Sequence, residues 1–372
     1  MDDLAGFIAL ALAPDIGPVR LRILLAACGS PDGAFSAPFE RLCALHEFNR
    51  AAATGVRSAR REEGERILRR VEALGGAALT YLDPAFPPIL STIPQPPALL
   101  FVSGGLGLLD PPAVAIVGSR DHSAYGAAVC RAVATRAAEA GIVVVSGMAR
   151  GLDAVAHHAA LDGGGPSIGV LGNGLGVIYP AANRELYDRM RNHGLLLTEF
   201  GPGERPNAGS FQRRNRLISG LARVTVVVEA AAGSGTLITV RAALDQGKDV
   251  MAVPGSITSG VSVGTNQLLR DGATPLLEPE DLLAFYPELP AIARRASIVA
   301  GSAGSGLTTA PPLPVDLTPE ERAIAELLGS ERLQLDDLAA RSERPLGAVL
   351  ATLSSLEVRG VVRQEPGRVF HR

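Results

Sequence analysis

The chain of 372 residues carries three cysteines, Cys28, Cys43 and Cys130. They are widely spaced, odd in number and form no CxxC pair, which argues against a disulfide framework and against a zinc site. They read as buried thiols. No stretch approaches the ~20 uninterrupted apolar residues of a membrane span. The first residues, MDDLAGF, are acidic where a secretory leader would be basic, so a cytoplasmic protein with no membrane partner is expected. The short signatures of common chemistry are also missing. The loop GSRDHSAYG is not a GxGxxG fingerprint, the next strand ends in Ser146 rather than an acid that would hold a ribose, and GNGLG (172–176) is a poor substitute. There is no GxxxxGKS/T for ATP and no Ser in GxSxG. No cofactor, metal or catalytic residue is therefore expected. Of the 35 basic residues only Lys248 is lysine, a bias given no functional weight by itself.

Hydrophobic residues make up 47% of the chain, so it is globular and long enough for two or three domains. Residues 1–75 read as a helical domain. The turn IGPVR, between apolar helical stretches at 4–12 and 21–28, resembles a helix-hairpin-helix, a weak signal that a plain structural bundle explains as well. A basic helix is expected over 58–74. From about Ala77 apolar runs alternate with helical segments. Strands are expected at 78–82, 113–117, 142–145, 167–171, 195–197, 224–228, 249–253 and 274–276, with helices at 124–140, 151–161, 183–192, 210–221, 235–246 and 263–270. Several strands are continuous Val/Ile runs, as expected of parallel strands buried on both faces. The fold class is α/β: residues 76–290 form a doubly wound, mostly parallel Rossmann-like sheet. Residues 291–316, rich in Ala, Gly, Ser and Pro, read as a flexible linker. Residues 317–372 show three helices and a hairpin, a winged-helix pattern. From Leu317 onward nine acids face eight bases, and 345–358 holds no Lys or Arg, so a protein-contact module is preferred there over a DNA reader.

The densest charge lies at FQRRNRLISGLARVTVVVE (211–229). Five arginines fall between Arg205 and Arg223 with no acid among them, in a chain whose net charge is −3. An isolated run of this kind is usually a solvated face. Four strand ends give it company, because ligands of such sheets sit beyond the carboxyl ends of the strands. The loops there supply Gly118, Ser119 and Arg120; Ser146, Gly147 and Arg150; GNGLG; and Ser234 and Thr236. With Phe211, Arg213, Arg214, Asn215 and Arg216 they are expected to line one groove. Its chemistry is that of a polyanion site, guanidinium forks for phosphate and a ring on which a base can stack. Asp153 and His157, spaced i, i+4 with His158 beside them, have metal-ligand spacing, but a capping or buried hydrogen-bonding role is the preferred reading.

The ordered set VGSR (117–120), SGMARGLDAVAHHAAL (146–161), GVIYPAAN (176–183), LLTEF (196–200), FQRRNRLISGLA (211–222), VVVEAAAGSGTLIT (226–239), AVPG (252–255) and GTNQLLRDGA (264–273) closely resembles the DNA-processing protein A (DprA/Smf) family over roughly residues 80–280. The resemblance implies an extended Rossmann fold with an N-terminal helical domain matching residues 1–75. It also implies a non-enzymatic recombination mediator that binds and protects incoming single-stranded DNA and loads RecA in natural transformation. The DNA pocket it implies is Arg120, Phe211, Arg213 and Arg216; a homodimer near Asn266–Arg270, involving Leu268 and Leu269, and contact with single-strand binding protein are further expectations. The chain departs from the family pattern at Gln212, where proline is usual. The alternative class is a nucleoside-monophosphate phosphoribohydrolase with a PGGxGTxxE-like loop. In GSGTLIT the position of its glutamate is Thr239, so the carboxylate that chemistry needs is missing.

Overall fold

The computed structural model describes residues 3–289, 317–328, 333–342, 344–359, 361–365 and 369–371; the linker expected at 291–316 lies outside them. The chain divides into two compact units, Met1–Arg295 and Ala296–Arg372. The first begins with six helices: α1 (Leu4–Ala11), α2 (Pro18–Cys28), α3 (Pro31–Ser36), α4 (Phe39–Cys43), α5 (Arg50–Ser58) and α6 (Arg61–Ala73). Asp3 caps α1 by accepting from the Gly6 amide, and Pro18 at the first position of α2 sets its backbone where no amide is needed. The single basic helix expected at 58–74 is in fact α6 alone, preceded by a break at Ala59–Arg60 and by α5.

A nine-stranded sheet follows: β1 (Gly76–Thr80), β2 (Leu99–Gly104), β3 (Ala113–Val117), β4 (Val143–Ser146), β5 (Ser167–Val170), β6 (Leu195–Thr198), β7 (Val224–Val227), β8 (Asp249–Ala252) and β9 (Thr274–Pro275). Its spatial order is β1-β2-β6-β5-β4-β3-β7-β8-β9. From β6 to β9 every pairing is parallel, while β1 and β2 join antiparallel at one edge. The helices between are α7 (Ala124–Glu139), α8 (Leu152–Asp162), α9 (Arg184–His193), α10 (Ala208–Leu221), α11 (Thr236–Asp245) and α12 (Val263–Arg270). The doubly wound, mostly parallel sheet is thus as expected, and β2 is the strand the sequence reading lacked. Proline at 94, 96 and 97 masks its start, yet its first five residues are all buried.

The core does not stop where the helical region ends. Phe7, Leu10, Leu24 and Val56 share one apolar cluster with Leu99 and Phe101 of β2, Leu196 of β6 and Tyr187 and Met190 of α9. Residues 1–75 therefore belong to the same compact unit as the sheet, held by a continuous apolar contact. Lys248, the chain's one lysine, closes the other end of α10. Its Nζ donates to the carbonyls of Ser219, Gly220 and Ala222 at 2.9, 2.5 and 2.7 Å, and burial lowers its pKa to about 8. In the second unit, helices Pro319–Leu328, Leu335–Ser342 and Leu346–Val358 pack with a three-stranded sheet around Ile324, Leu338, Leu353 and Phe370. This is the winged-helix arrangement, with one more short strand, Leu333–Gln334, than expected.

Beneath the carboxyl edge of the sheet lies a buried polar network. Asp153, in the first turn of α8, accepts from the amides of Gly147 and Ala149 at 3.2 and 3.4 Å. Burial raises its pKa, opposed by the nearby Arg214 guanidinium and these amides. His157, one turn on, has Nδ1 2.7 Å from Ser167 Oγ, which itself donates to the Val144 carbonyl at 2.9 Å. Ser167 thus links the imidazole to β4, and the Ser146 backbone forms a second polar contact with the ring. His158 turns elsewhere, toward Arg189 Nη1 at 2.9 Å. The three side chains thus have separate partners, in keeping with the capping and hydrogen-bonding reading.

Desolvation, aided by interaction with His158 and with the Arg214 guanidinium, lowers the His157 pKa from 6.5 to about 3. The folded state holds it neutral while the unfolded chain protonates it below pH 6.5, so its contribution is lost as pH falls below that value. From pH 7 to pH 5 the wild-type protein should lose about 2 kcal/mol of unfolding free energy from this residue, about 1.5 pH units at 1.36 kcal/mol each. Urea unfolding of His157→Leu at the two pH values should lack that increment. Equal acid sensitivity in variant and wild type would remove His157 as its source.

Candidate functional site

The candidate site opens at the carboxyl ends of β3, β4 and β5. It is a recess of about 60 Å³ lined by Arg120, Gly147 to Arg150, Leu171 to Asn173, Tyr179, Pro180, Tyr187 and Phe211. Helix α10 places Phe211. Asn207 and Ser210 form a capping box at its start, and the Ser210 hydroxyl also donates to the Gly172 carbonyl at 2.6 Å. A Cβ on Gly172 would meet the Phe211 ring at 2.6 Å, so only glycine lets the ring lie against that backbone. The ring is half-buried, with its neighbours on two sides. Tyr179, 44% exposed, stands 5.5 Å away centroid to centroid at a tilt of 37°, and the Arg120 guanidinium lies 5.8 Å from the Phe211 centroid. The Tyr187 hydroxyl donates to the Tyr179 carbonyl at 3.0 Å and holds that segment in place. Arg150, also exposed, meets Asp121 at 3.1 Å in an ion pair open to solvent and hence weak.

Arg214 forms the underside. It is 4% exposed, and its Nη1 donates to the Gly147 carbonyl at 2.6 Å and to the Val170 carbonyl, tying α10 to the ends of β4 and β5. Burial lowers its pKa to about 10, with Asp153 opposing the shift, so it stays charged at neutral pH. A Cβ on Gly147 would come within 2.6 Å of Asp153 Oδ2 and 2.8 Å of Arg214 Nη2, so these two buried charges pack directly over that glycine.

The expected single groove is therefore divided. Arg120, Gly147, Arg150 and Phe211 come together in the recess. Arg214 corrects the expectation: buried and committed to carbonyls, it has no path to a ligand phosphate. So does Ser146, which is fully buried and donates to the Ile116 carbonyl at 2.7 Å. Asn215 accepts from Arg214 Nε at 3.1 Å. Gly118 and Ser119 shape the base of the Arg120 loop, where Ser119 Oγ donates to the Asp121 carbonyl at 2.8 Å. Thr236 donates to the Gly118 carbonyl at 3.1 Å and receives the Ser234 hydroxyl, so both lie beside the recess and outside its lining. Arg213 and Arg216 leave the opposite side of α10, about 200° and 140° from Phe211 at 100° per residue, and face a second cleft. Arg213 is exposed and stacks on Phe200 at 4.4 Å; Arg216 Nη2 takes both oxygens of Glu199 at 2.7 and 2.6 Å.

Two of the helices at this edge, α7 and α10, have side-chain caps, whereas α8 and α11 begin at Gly151 and Gly235 without one. Ser123 caps α7, Asp153 serves the turn entering α8, and Asn207 caps α10. Between β3 and β7, where the sheet's winding reverses, the buried Glu229 accepts from Ser123 N and Oγ at 3.0 and 2.5 Å. At the crevice where a doubly wound sheet usually takes its ligand, a cleft of about 440 Å³ thus has the protein's own carboxylate in its wall. Thr239 is buried in α11. Tyr179 is the site residue that sequence reasoning missed; the aromatic in GVIYPAAN was its only signal.

The sequence profile of the family described as DNA recombination-mediator protein A matches residues 77–287, and that of the DprA winged helix domain matches 308–368. DNA processing protein DprA of Streptococcus pneumoniae is 46% identical over 209 residues, 56% of this chain and 74% of that protein. Protein Smf of Synechocystis is 35% identical over 316 residues, 79% of each, and Smf of Escherichia coli 38% over 296. The crystal structure of the pneumococcal DprA superposes with a TM-score of 0.67 at 35% identity, over 75% of this chain and 97% of that one. A structure reported for the single-stranded DNA binding mode of DNA processing protein A from Helicobacter pylori gives 0.51 at 31% identity, over 56% and 94%. With the family's profile matching more than half of its length and relatives 35–38% identical over about three quarters of it, this chain belongs to the DNA recombination-mediator protein A (DprA/Smf) family.

Proposed function

We propose that this protein is a non-catalytic recombination mediator that holds single-stranded DNA at the recess between Arg120, Tyr179 and Phe211. The observation that carries the reading is the Phe211 ring at the carboxyl edge of the sheet, flanked by an exposed tyrosine and an arginine. A recess of about 60 Å³ is too shallow to engulf a nucleotide, so a base stacks across its mouth. Phosphates on either side are drawn by Arg120 and Arg150, and by Arg213 on the outer flank of α10. Attraction falls to guanidinium groups, which suit the flexible, repeating phosphates of a single strand. Thr239 offers no carboxylate for base release, which favours binding over hydrolysis.

By kinship the bound strand is incoming DNA in natural transformation, kept from nucleases and passed to RecA, with single-strand binding protein as a further partner. A homodimer fits the far edge of the sheet. Exposed apolar side chains occur on α12, in the loop after β8 and just past the edge strand β9, Val263 at 47%, Ile257 at 94% and Leu277 at 75%, which a second copy would cover. Leu268 packs mainly inward against the core and serves such a contact less than those three.

Two measurements check these readings. Arg120→Ala should weaken single-strand binding for every sequence and flatten the log–log salt slope by about 0.7, the share of one phosphate. Phe211→Ala should cost about 1–3 kcal/mol with the salt slope unchanged, because stacking releases no counterions. Wild-type affinity in both variants would dismiss the recess as the site. Sedimentation at tens of micromolar, about ten times a typical transient Kd, should show a dimer that Ile257→Asp with Leu277→Asp converts to monomer; a monomeric wild-type protein would reject the interface.

A further inference from the structure

A second cleft, of about 550 Å³, lies between the helical region and the sheet, on the side of α10 away from the Phe211 recess. One wall is the start of α2, from Ile16 to Leu21, with Leu12 and Glu47; the other is Arg213 and Arg216 of α10 with Glu199. Three features mark it as built to receive something. Arg216 gives only Nη2 to Glu199, and its Nε and Nη1 are buried without a partner. Arg20 is fixed at the opposite wall, Nε on the Glu47 carbonyl at 2.7 Å and Nη1 on the Asp15 carbonyl at 2.9 Å. Among the described residues, the non-glycine positions with left-handed backbone are Asp15, Glu47, Gln95 and Met148 (φ 61, 62, 54 and 56°). Glu47 and Gln95 line this cleft, the Asp15 carbonyl holds its Arg20, and Met148 lines the recess. Strained backbone of this kind persists where a site needs it.

The lining is amphipathic. Leu12 and Val19 are exposed at 37% and 49% beside Pro18 and Leu99, and three guanidinium groups face the carboxylates of Glu199 and Glu47, the first already paired to Arg216. An apolar shelf next to arginines fits a nucleotide, its base on Leu12 and Val19 and its phosphate on Arg213, Arg216 and Arg20. The cleft is one helix width from Phe211, about 10–12 Å across α10, whose first turn between them (Asn207, Ala208, Gly209) is exposed and free of acids. We propose that the single strand leaving the Phe211 recess crosses α10 and enters this cleft, so that the N-terminal helical region binds DNA directly through Arg20 and the turn before α2. The proposal rests on the single-strand reading of the recess.

The test uses the full chain and two oligothymidylates, of about four and about sixteen nucleotides, the shorter able to occupy the recess alone. Val19→Asp places a like charge at the shelf without touching a hydrogen bond. Arg20→Gln removes a phosphate contact, and thermal melts check that the turn survives. Both variants should weaken binding of the long oligomer at least about fivefold and leave the short one within about twofold. Arg20→Gln should also flatten the salt slope of the long oligomer alone by about 0.7. Unchanged affinity for the long oligomer overturns the proposal, as does an equal loss for both lengths. Failure of the recess itself reads out separately, as short-oligomer binding that survives Phe211→Ala.

Discussion

The guanidinium of Arg214, buried under the carboxyl edge of the sheet, is the interaction on which the site depends. Moving a cation out of water is costly unless its protons are taken up. Here two carbonyls, at the ends of β4 and β5, take them, and the buried carboxylate of Asp153 supplies the counter-charge. The helix that carries Phe211 is thereby anchored to two strands by groups that leave no room for adjustment. Breaking the arrangement strands an uncompensated charge, which explains why α10 starts at a fixed depth and why Phe211, three residues before Arg214, is presented as a preset platform. Preorganised aromatic surface lowers the ordering cost that a flexible strand imposes on its receptor.

The same carboxylate decides the electrostatics of the surface. Asp153 takes two amides of the turn before α8, Ser123 and Asn207 cap α7 and α10, and Glu229 holds Ser123 in the wall of the cleft between β3 and β7. A sheet of this winding ordinarily lends its helix N-termini to one compact phosphate ligand. In this chain the termini of α7 and α10 are capped by side chains, and the exposed cations beside them are Arg120, Arg150 and Arg213. An extended polyanion is better served by such separated, mobile charges than by a single cradle. Electrostatics thus agrees with family membership in favouring a strand over a nucleotide cofactor.

Most of the fold was legible because buried parallel strands are written as Val/Ile runs, and β3, β4, β7 and β8 fall within a residue or two of where those runs predict. β2 was not, since its apolar run begins directly after Pro97 and reads as the end of a loop. The arginine run was legible as charge and illegible as geometry. Arg213, Arg214 and Arg216 look alike in sequence, yet at 100° per residue they leave α10 toward solvent, toward the strand ends and toward Glu199. Periodicity alone separates them from Phe211; only packing tells which direction is inward. Tyr179 reaches the site across a tertiary contact with a helix some thirty residues away, which no local pattern encodes. The helical region looked like a separate domain because its composition changes at residue 75, whereas its apolar faces run on into β2 and β6.

The central claim is that a base must turn its face to Phe211, and competition between nucleic acid forms tests it most directly. A labelled oligothymidylate bound to the full chain would be challenged with unlabelled single strand or with blunt duplex at equal nucleotide concentration. Paired bases have no free face, so the account predicts that the single strand displaces the label and the duplex displaces little of it, even at low salt where phosphate attraction is strongest. Displacement by duplex as effective as by single strand would show that phosphate contact alone governs binding, and would contradict the account.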